Sequence, residues 1–407
     1  MSMTTTKLTK TLLVLTALAP GLFGATRVVS NNGVLVGCPA QYTSIQAAIT
    51  AAAINDTVYV CNTGVPFNEQ VTISKSIKLT GQTGATIRPN PLVANTASLI
   101  SGNAIAAAVY VTPGTTGVTI SNLIVDGSQN QISGCLPNPI GVYFQNASGT
   151  VAYTAVINFM LGSGLQGCQA GIGIFAQTDN AGGVANVTAV GNSVRGFQKT
   201  GIVGNETGTT LIATTNIVTG WGLTPYIAQN GIQIGFGATG TITQNTVSNV
   251  AYSPCTDTAT CPGSSTGILI YDPSGVIATK SNNISNTQGA VYYLSATGGN
   301  ISSNTISNTL VYDGIAIDTD GSGPGTGNTV TLNTIMNSSE SGLYVNTDGN
   351  SLTNNKIVDT PIGIWLVDTN NTQTGNKIYA AAVSVQQGAA PAASARGKAT
   401  MKPQPVR

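Results

Sequence analysis

Residues 231–247 read Gly231-Ile-Gln-Ile-Gly-Phe-Gly-Ala-Thr-Gly-Thr-Ile-Thr-Gln-Asn245-Thr-Val247. Two short runs alternate apolar and polar residues, and a polar, glycine-rich stretch separates them. The same unit recurs along the chain. A glycine followed by apolar residues at its first and third following positions begins at Gly141, Gly171, Gly201, Gly231, Gly267, Gly289, Gly314, Gly342 and Gly363. Asparagines answer at Asn158, Asn192, Asn216, Asn245, Asn282, Asn304, Asn333, Asn355 and Asn376, mostly in an Asn-x-apolar step. Alternation over so few residues reads as strand, and the polar clusters read as turns. A repeat of roughly 20 to 37 residues built from β-branched strand units predicts a solenoid.

One unit cannot bury its apolar row by itself. Stacked coils about 4.8 Å apart bury a continuous column of Ile, Val and Leu, whose branched side chains suit a pleated surface. The recurring asparagine falls where the strand must bend. Its amide can bond the backbone and the equivalent amide of the next coil, which predicts a vertical ladder of satisfied donors and acceptors. The fold expected is all-β: a right-handed parallel β-helix.

Composition fits this reading. Charged residues are 7% and apolar residues 41% of 407, so solubility must rest on hydroxyls and amides. Histidine is absent, which excludes His-based acid/base catalysis and His metal ligands. Net charge is +1, but Lys7, Lys10, Arg396, Lys398, Lys402 and Arg407 lie near the ends. Residues 26–380 keep nine of the fifteen basic side chains against all fourteen acidic ones, a difference of −5. No basic stripe points to nucleic acid.

Lys7 and Lys10 precede the apolar run Leu12-Leu-Val-Leu-Thr-Ala-Leu-Ala19. That run is too short to span a bilayer and has the form of a secretory leader, so residues 1–25 are expected to be a signal peptide. The mature chain should lack a membrane span and be secreted, periplasmic or at the cell surface, as a monomer. Six cysteines agree with an oxidising compartment. A solenoid brings only adjacent coils together, which favours Cys38 with Cys61, Cys135 with Cys168, and Cys255 with Cys261.

Residues 26–56 are expected to cap the solenoid, because an uncovered first coil is an open sheet edge. Thr43-Ser-Ile-Gln46 predicts a helix start with Thr43 as N-cap and Gln46 completing a capping box, and the helix should run to about Ala53. Strands follow at Thr57-Val-Tyr-Val and Val71-Thr-Ile-Ser, the coils run from 57 to 380, and residues 381–407 have a composition that argues against a packed core.

The opening segment, Tyr42-Thr-Ser-Ile-Gln-Ala-Ala-Ile49, then Asp56-Thr-Val-Tyr-Val, then Val71-Thr-Ile-Ser-Lys-Ser-Ile-Lys-Leu-Thr-Gly81, resembles pectin methylesterases and the wider pectate-lyase-like superfamily. The later coils are similar to the generic β-helix repeats of that superfamily, as in its copper-protein maturation members. The resemblance covers about residues 40–380 and implies the fold. The Asp-Phe-Ile-Phe-Gly-type signature of the methylesterases is absent, so it does not imply that activity.

In the Gly-apolar-x-apolar unit the first and third positions should point inward and the second and fourth outward. That places Tyr271, Tyr293, Tyr344 and Trp365 on one outer sheet beside Asp318, Asn346, Asp320 and Asp348. Outward aromatics on a rigid strand suit stacking against sugar rings. Asp320 and Asp348 should stand about 5 Å apart and Asp318 and Asp348 about 8 Å, separations in the range of paired glycosidase carboxylates. Asn346-Thr-Asp348-Gly349 resembles the Asn-Thr-Asp motif of polygalacturonases, without their paired Asp-Asp, His-Gly and Arg-x-Lys elements. Asp318, Asp320, Asn346 and Asp348 also offer the hard oxygen ligands that Ca²⁺ prefers. Two functions remain open. One is an exported protein that binds polysaccharide and cleaves it as a hydrolase or Ca²⁺-dependent lyase through Asp318, Asp320 and Asp348. The other is a non-catalytic surface or envelope β-helix with a structural or adhesive role.

Overall fold

The computed structural model describes residues 24–32, 37–252, 263–388 and 406. The leader through residue 23, the Cys255–Cys261 pair and most of the stretch beyond 388 lie outside the described residues. The chain coils into a right-handed parallel β-helix with three sheets. Sheet I runs from Thr26–Val29 to Thr372–Thr374, sheet II from Val71–Ile73 to Val383–Gln387, and sheet III from Thr86–Ile87 to Lys377–Tyr379. From Lys78–Gly81 on, the coils visit I, III and II in turn, and among the described residues every strand pairing is parallel except that of the short Thr96–Ala97 strand, which runs antiparallel to Ala104–Val111.

The core is one continuous column. On sheet II it contains Val142, Ile174, Ile202, Ile232, Ile268, Val291, Ile315, Leu343 and Ile364, all at most 1% exposed. The register glycines let neighbouring coils close up. A Cβ on Gly231 would lie 2.5 Å from the Gly267 carbonyl oxygen, and one on Gly342 2.8 Å from that of Gly363.

The expected asparagine ladder is present. Asn192, Asn216, Asn245, Asn282, Asn304, Asn333, Asn355 and Asn376 each pass an Nδ2–H to the Oδ1 of the next, at 2.9–3.0 Å. The same oxygen accepts the preceding asparagine's backbone N–H, as Asn245 Oδ1 does from Asn216 at 2.9 Å. The second Nδ2–H reaches back to a carbonyl of the previous coil, as Asn304 does to Thr279 at 2.9 Å. Asn158 is not a rung. Its φ of 63° places it in a turn, its side chain donates to Asp126, and the ladder ends instead on the Thr154 backbone N–H. A second ladder, Asn328–Asn350–Asn371, lines another turn.

The cap differs in detail from expectation. Thr26–Val29 adds a strand above Thr57–Val60, and the helix spans Ile45–Ala51. Ser44, not Thr43, is the N-cap, accepting from the Ala47 N–H. Glu69 takes the first free amides, those of Ile45 and Gln46. Gln46 completes no capping box; its amide pairs with the Thr72 backbone in both directions and so seals the first edge of sheet II. At the other end Val383–Gln387 forms a last strand beside Ile362–Leu366, so the coils extend past the expected boundary at 380. Disulfides Cys38–Cys61 and Cys135–Cys168 form as expected.

Candidate functional site: the outer face of sheet II

Register decides which side chains leave the coil. Pairing aligns Tyr143, Phe175, Val203, Gln233, Leu269, Tyr292, Ala316, Tyr344, Trp365 and Gln386 in one outward row. A parallel row two residues on contains Gln145, Gln177, Asn205, Tyr271, Leu294 and Asp318. Tyr344, Trp365, Tyr271, Asp318 and Asn346 therefore stand on one face, as the repeat implied.

Tyr293 does not. Ala290, not Gly289, occupies the glycine position of that coil, because Val291 pairs with Ile268 and Tyr292 with Leu269. Tyr293 points inward, fully buried in the main core with its hydroxyl on Thr279 Oγ1 at 2.9 Å, and Tyr292 takes the outward place. The same correction moves the register glycine of an earlier coil from Gly171 to Gly173, since Ile174 pairs with Ile202.

The outward aromatics are directed away from the core but are not open to solvent. Trp365 is 3% and Tyr344 7% exposed, packed edge to face at 5.3 Å. With Leu269, Tyr292, Leu294, Val311, Tyr312, Ala316 and Ile362 they form a second hydrophobic cluster on the outer face. The Trp365 indole N–H donates to the Gly388 carbonyl at 2.9 Å. Tyr271 remains partly exposed, edge-on to Phe236 at 5.0 Å. Nearer the cap, Tyr110, Tyr143 and Phe175 stack at 6.0 and 5.2 Å.

The carboxylates separate into two environments. Asp318 accepts from the Tyr292 hydroxyl at 3.0 Å and Asn346 Nδ2 at 2.8 Å, and burial raises its pKa. Asp320 turns toward the preceding coils, accepting from Ser295 Oγ at 2.7 Å and the Tyr271 hydroxyl at 2.9 Å. Against an opposing effect of partial burial, hydrogen bonds from Ser322, Ser295 and Tyr271 hold its pKa down at about 2. Asp348 faces the other way and accepts the Asn370 backbone N–H at 3.1 Å. The expected stack of Asp320 on Asp348 is thus absent: after Asp318 the chain loops out, and Gly325 takes the place beside Thr347, whose Oγ1 donates to its carbonyl at 2.8 Å. Among the described residues no three His, Cys, Asp or Glu side chains converge as a metal ligand set.

Three features were not read from the sequence. Asp313 and Glu340 are buried on this face, Asp313 accepting both the Ser341 N–H and Oγ–H, and burial pushes its pKa up to about 7. Lys199 is fully buried, donates to the Ala228 carbonyl at 2.6 Å, and is shifted down to about 7 by burial. Val406, near the C-terminus, sits on the outer face beside Gln233. Only the first had a signal: Asp313 occupies the position before a register glycine, where Ser341 and Ile362 stand in the next coils.

No curated protein matches the chain. Several solved structures share its coil. A GH136 lacto-N-biosidase from Eubacterium ramulus superposes with a TM-score of 0.59 at 13% identity, covering 87% of this chain and 68% of its own. PfbA, a surface adhesin of Streptococcus pneumoniae, gives 0.56 at 13%, covering 83% and 86%. The polygalacturonase from Erwinia carotovora ssp. carotovora gives 0.51 at 12%, covering 91% and 99%. At these identities the likeness is one of fold. Among the described residues no helix is long and apolar enough to cross a membrane. The family described as the right handed beta helix region matches residues 173–381, and the chain belongs to it.

Proposed function

We propose that this is an exported β-helix protein that binds polysaccharide along the outer face of sheet II. The observation that carries the reading is the register itself. It brings the partly exposed ring of Tyr271 onto the same face as the hydrogen-bonding pair Asp318 and Asn346, above a buried aromatic cluster that keeps this face rigid. Flat apolar rings flanked by directional polar groups are what a sugar chain requires. The lacto-N-biosidase and the polygalacturonase are glycan-acting enzymes on the same coil, which agrees with this use. A glycan array on the full chain tests the proposal, with Asp318→Asn and Tyr271→Ala expected to weaken whatever binding the wild type shows.

A hydrolytic step would fall to Asp318 and Asp320. Their environments push their pKa values apart, leaving Asp318 the better proton donor and Asp320 ionised, the division between a general acid and a carboxylate nucleophile or charge stabiliser. Release of reducing ends from the array hit, lost in Asp318→Asn and in Asp320→Asn, is the test.

The burial of Trp365 and Tyr344 favours a second reading, a non-catalytic surface protein whose outer face is part of its packing, as an adhesin with this coil would permit. A wild type that binds no glycan and releases no sugar would support it.

A further inference from the structure

The middle of the same face holds a row of buried polar groups. Thr200, Asn230 and Thr266 are aligned coil upon coil, in the row that begins with Ile140 and Ile172. All three are fully buried, and the hydroxyls of Thr200 and Thr266 have no hydrogen-bond partner among the described residues. A buried hydroxyl without a partner costs on the order of 1–3 kcal/mol, so two in one row is a feature to be explained.

Beside that row Val406 is held like a strand. Its N–H donates to Gln233 Oε1 at 3.0 Å, its carbonyl accepts from Gln233 Nε2 at 2.8 Å and from Asn205 Nδ2 at 2.5 Å, and its side chain is 5% exposed among Val203, Phe175 and Tyr143. One glutamine amide thus reads both backbone groups of a single residue. Gln233 also donates to Asn205 Oδ1 at 2.9 Å, which fixes the orientation of both amides.

We propose that this mid-face row is a subsite for a hydroxylated ligand, the sugar units of the polysaccharide proposed above, and that Val406 is its resident intramolecular competitor. The amides of Gln233 and Asn205 can exchange a peptide N–H and C=O for sugar hydroxyls without moving. The ligand would also supply partners for Thr200 and Thr266, which an apolar valine side chain does not. Competition follows from the overlap: a glycan on Gln233 and Asn205 must displace Val406. The competition rests on the glycan-binding reading; the docking of Val406 does not.

The two parts are tested in the full chain by separate readouts. Hydrogen exchange is followed in the C-terminal peptide from residue 403, in which Pro403 and Pro405 carry no amide hydrogen, leaving few reporting amides. The Val406 amide should exchange at least tenfold more slowly in the wild type than in Gln233→Ala; equal rates overturn the docking. Val406→Asp places a charge in an apolar slot and should raise affinity for the glycan-array hit at least fivefold. Unchanged affinity, or no glycan bound by either protein, overturns the competition, and in the second case the glycan reading falls with it while the exchange result still decides the docking.

Discussion

Asn282 and Asn304 are 22 residues apart in sequence and joined twice: Asn304 Oδ1 accepts both the backbone N–H of Asn282, at 3.0 Å, and its Nδ2–H, at 2.9 Å. Every rung of the ladder repeats this arrangement, so each amide is both anchored and anchoring. Removing an interior rung leaves buried donors on one side and a buried acceptor environment on the other. Asn304→Ala should therefore cost about 2–4 kcal/mol, summing two or so unsatisfied groups. Asn376→Ala, at the half-buried last rung, should cost less than half as much. Urea unfolding of the two variants checks the order, and equal losses would contradict a ladder whose weight lies in burial.

Lys199 gives the fold a pH signature. Its pKa is depressed in the folded state to about 7 against an ordinary value of 10.5. Between those values the unfolded chain binds the extra proton, so this group makes stability rise with pH from about 7 toward 10.5 and is indifferent below. Lys199→Met keeps the volume, removes the buried amine and should stabilise at pH 7 by a few kcal/mol at most, on the order of the linked shift. Unfolding free energies at pH 7 and pH 9.5 should differ for the wild type and converge for the variant.

Asp313 acts in the opposite sense. A carboxyl raised by burial to about 7 holds its proton when folded and loses it when unfolded, so its contribution is greatest below the ordinary value of 3.8 and declines as pH rises to about 7. Asp313→Asn keeps an acceptor for the Ser341 N–H and should flatten the stability profile across that window. A profile identical to the wild type would mean that the carboxyl titrates as if exposed.

Where the sequence was legible, it was because repetition removed ambiguity. Nine asparagines at one phase read as a ladder, of which eight form it and Asn158 does not, and glycines followed by alternating apolar residues gave the inward column. Ambiguity returned where a repeat carried two equivalent residues side by side. Gly289-Ala290 and Tyr292-Tyr293 each offer two frames, and only pairing with Ile268 and Leu269 selects one. The burial of Trp365 and Tyr344 had no local signal, because it depends on residues far along the chain, such as Gly388 against the Trp365 indole. The same holds for Val406 and Gln233, 173 residues apart.

That burial changes what the aromatic variants should do. Trp365→Ala removes a packed ring and should cost about 3–5 kcal/mol, the range for large aromatic truncations in cores, rather than the near-neutral effect of a surface change. Thermal melts of Trp365→Ala against Tyr153→Ala, a change at a tyrosine 67% exposed elsewhere on the coil, give the comparison. Similar melting temperatures would contradict the second cluster.

The partly exposed Tyr271 is therefore the cleaner probe of the glycan face. The most direct measurement is a titration of the best glycan-array hit against the full-length wild type, Tyr271→Ala and Tyr153→Ala. Loss of a stacking ring should cost about 1 kcal/mol or more, roughly a fivefold fall in affinity. The account predicts that fall for Tyr271→Ala and none for Tyr153→Ala. A wild type that binds no glycan, or two variants weakened alike, would contradict it.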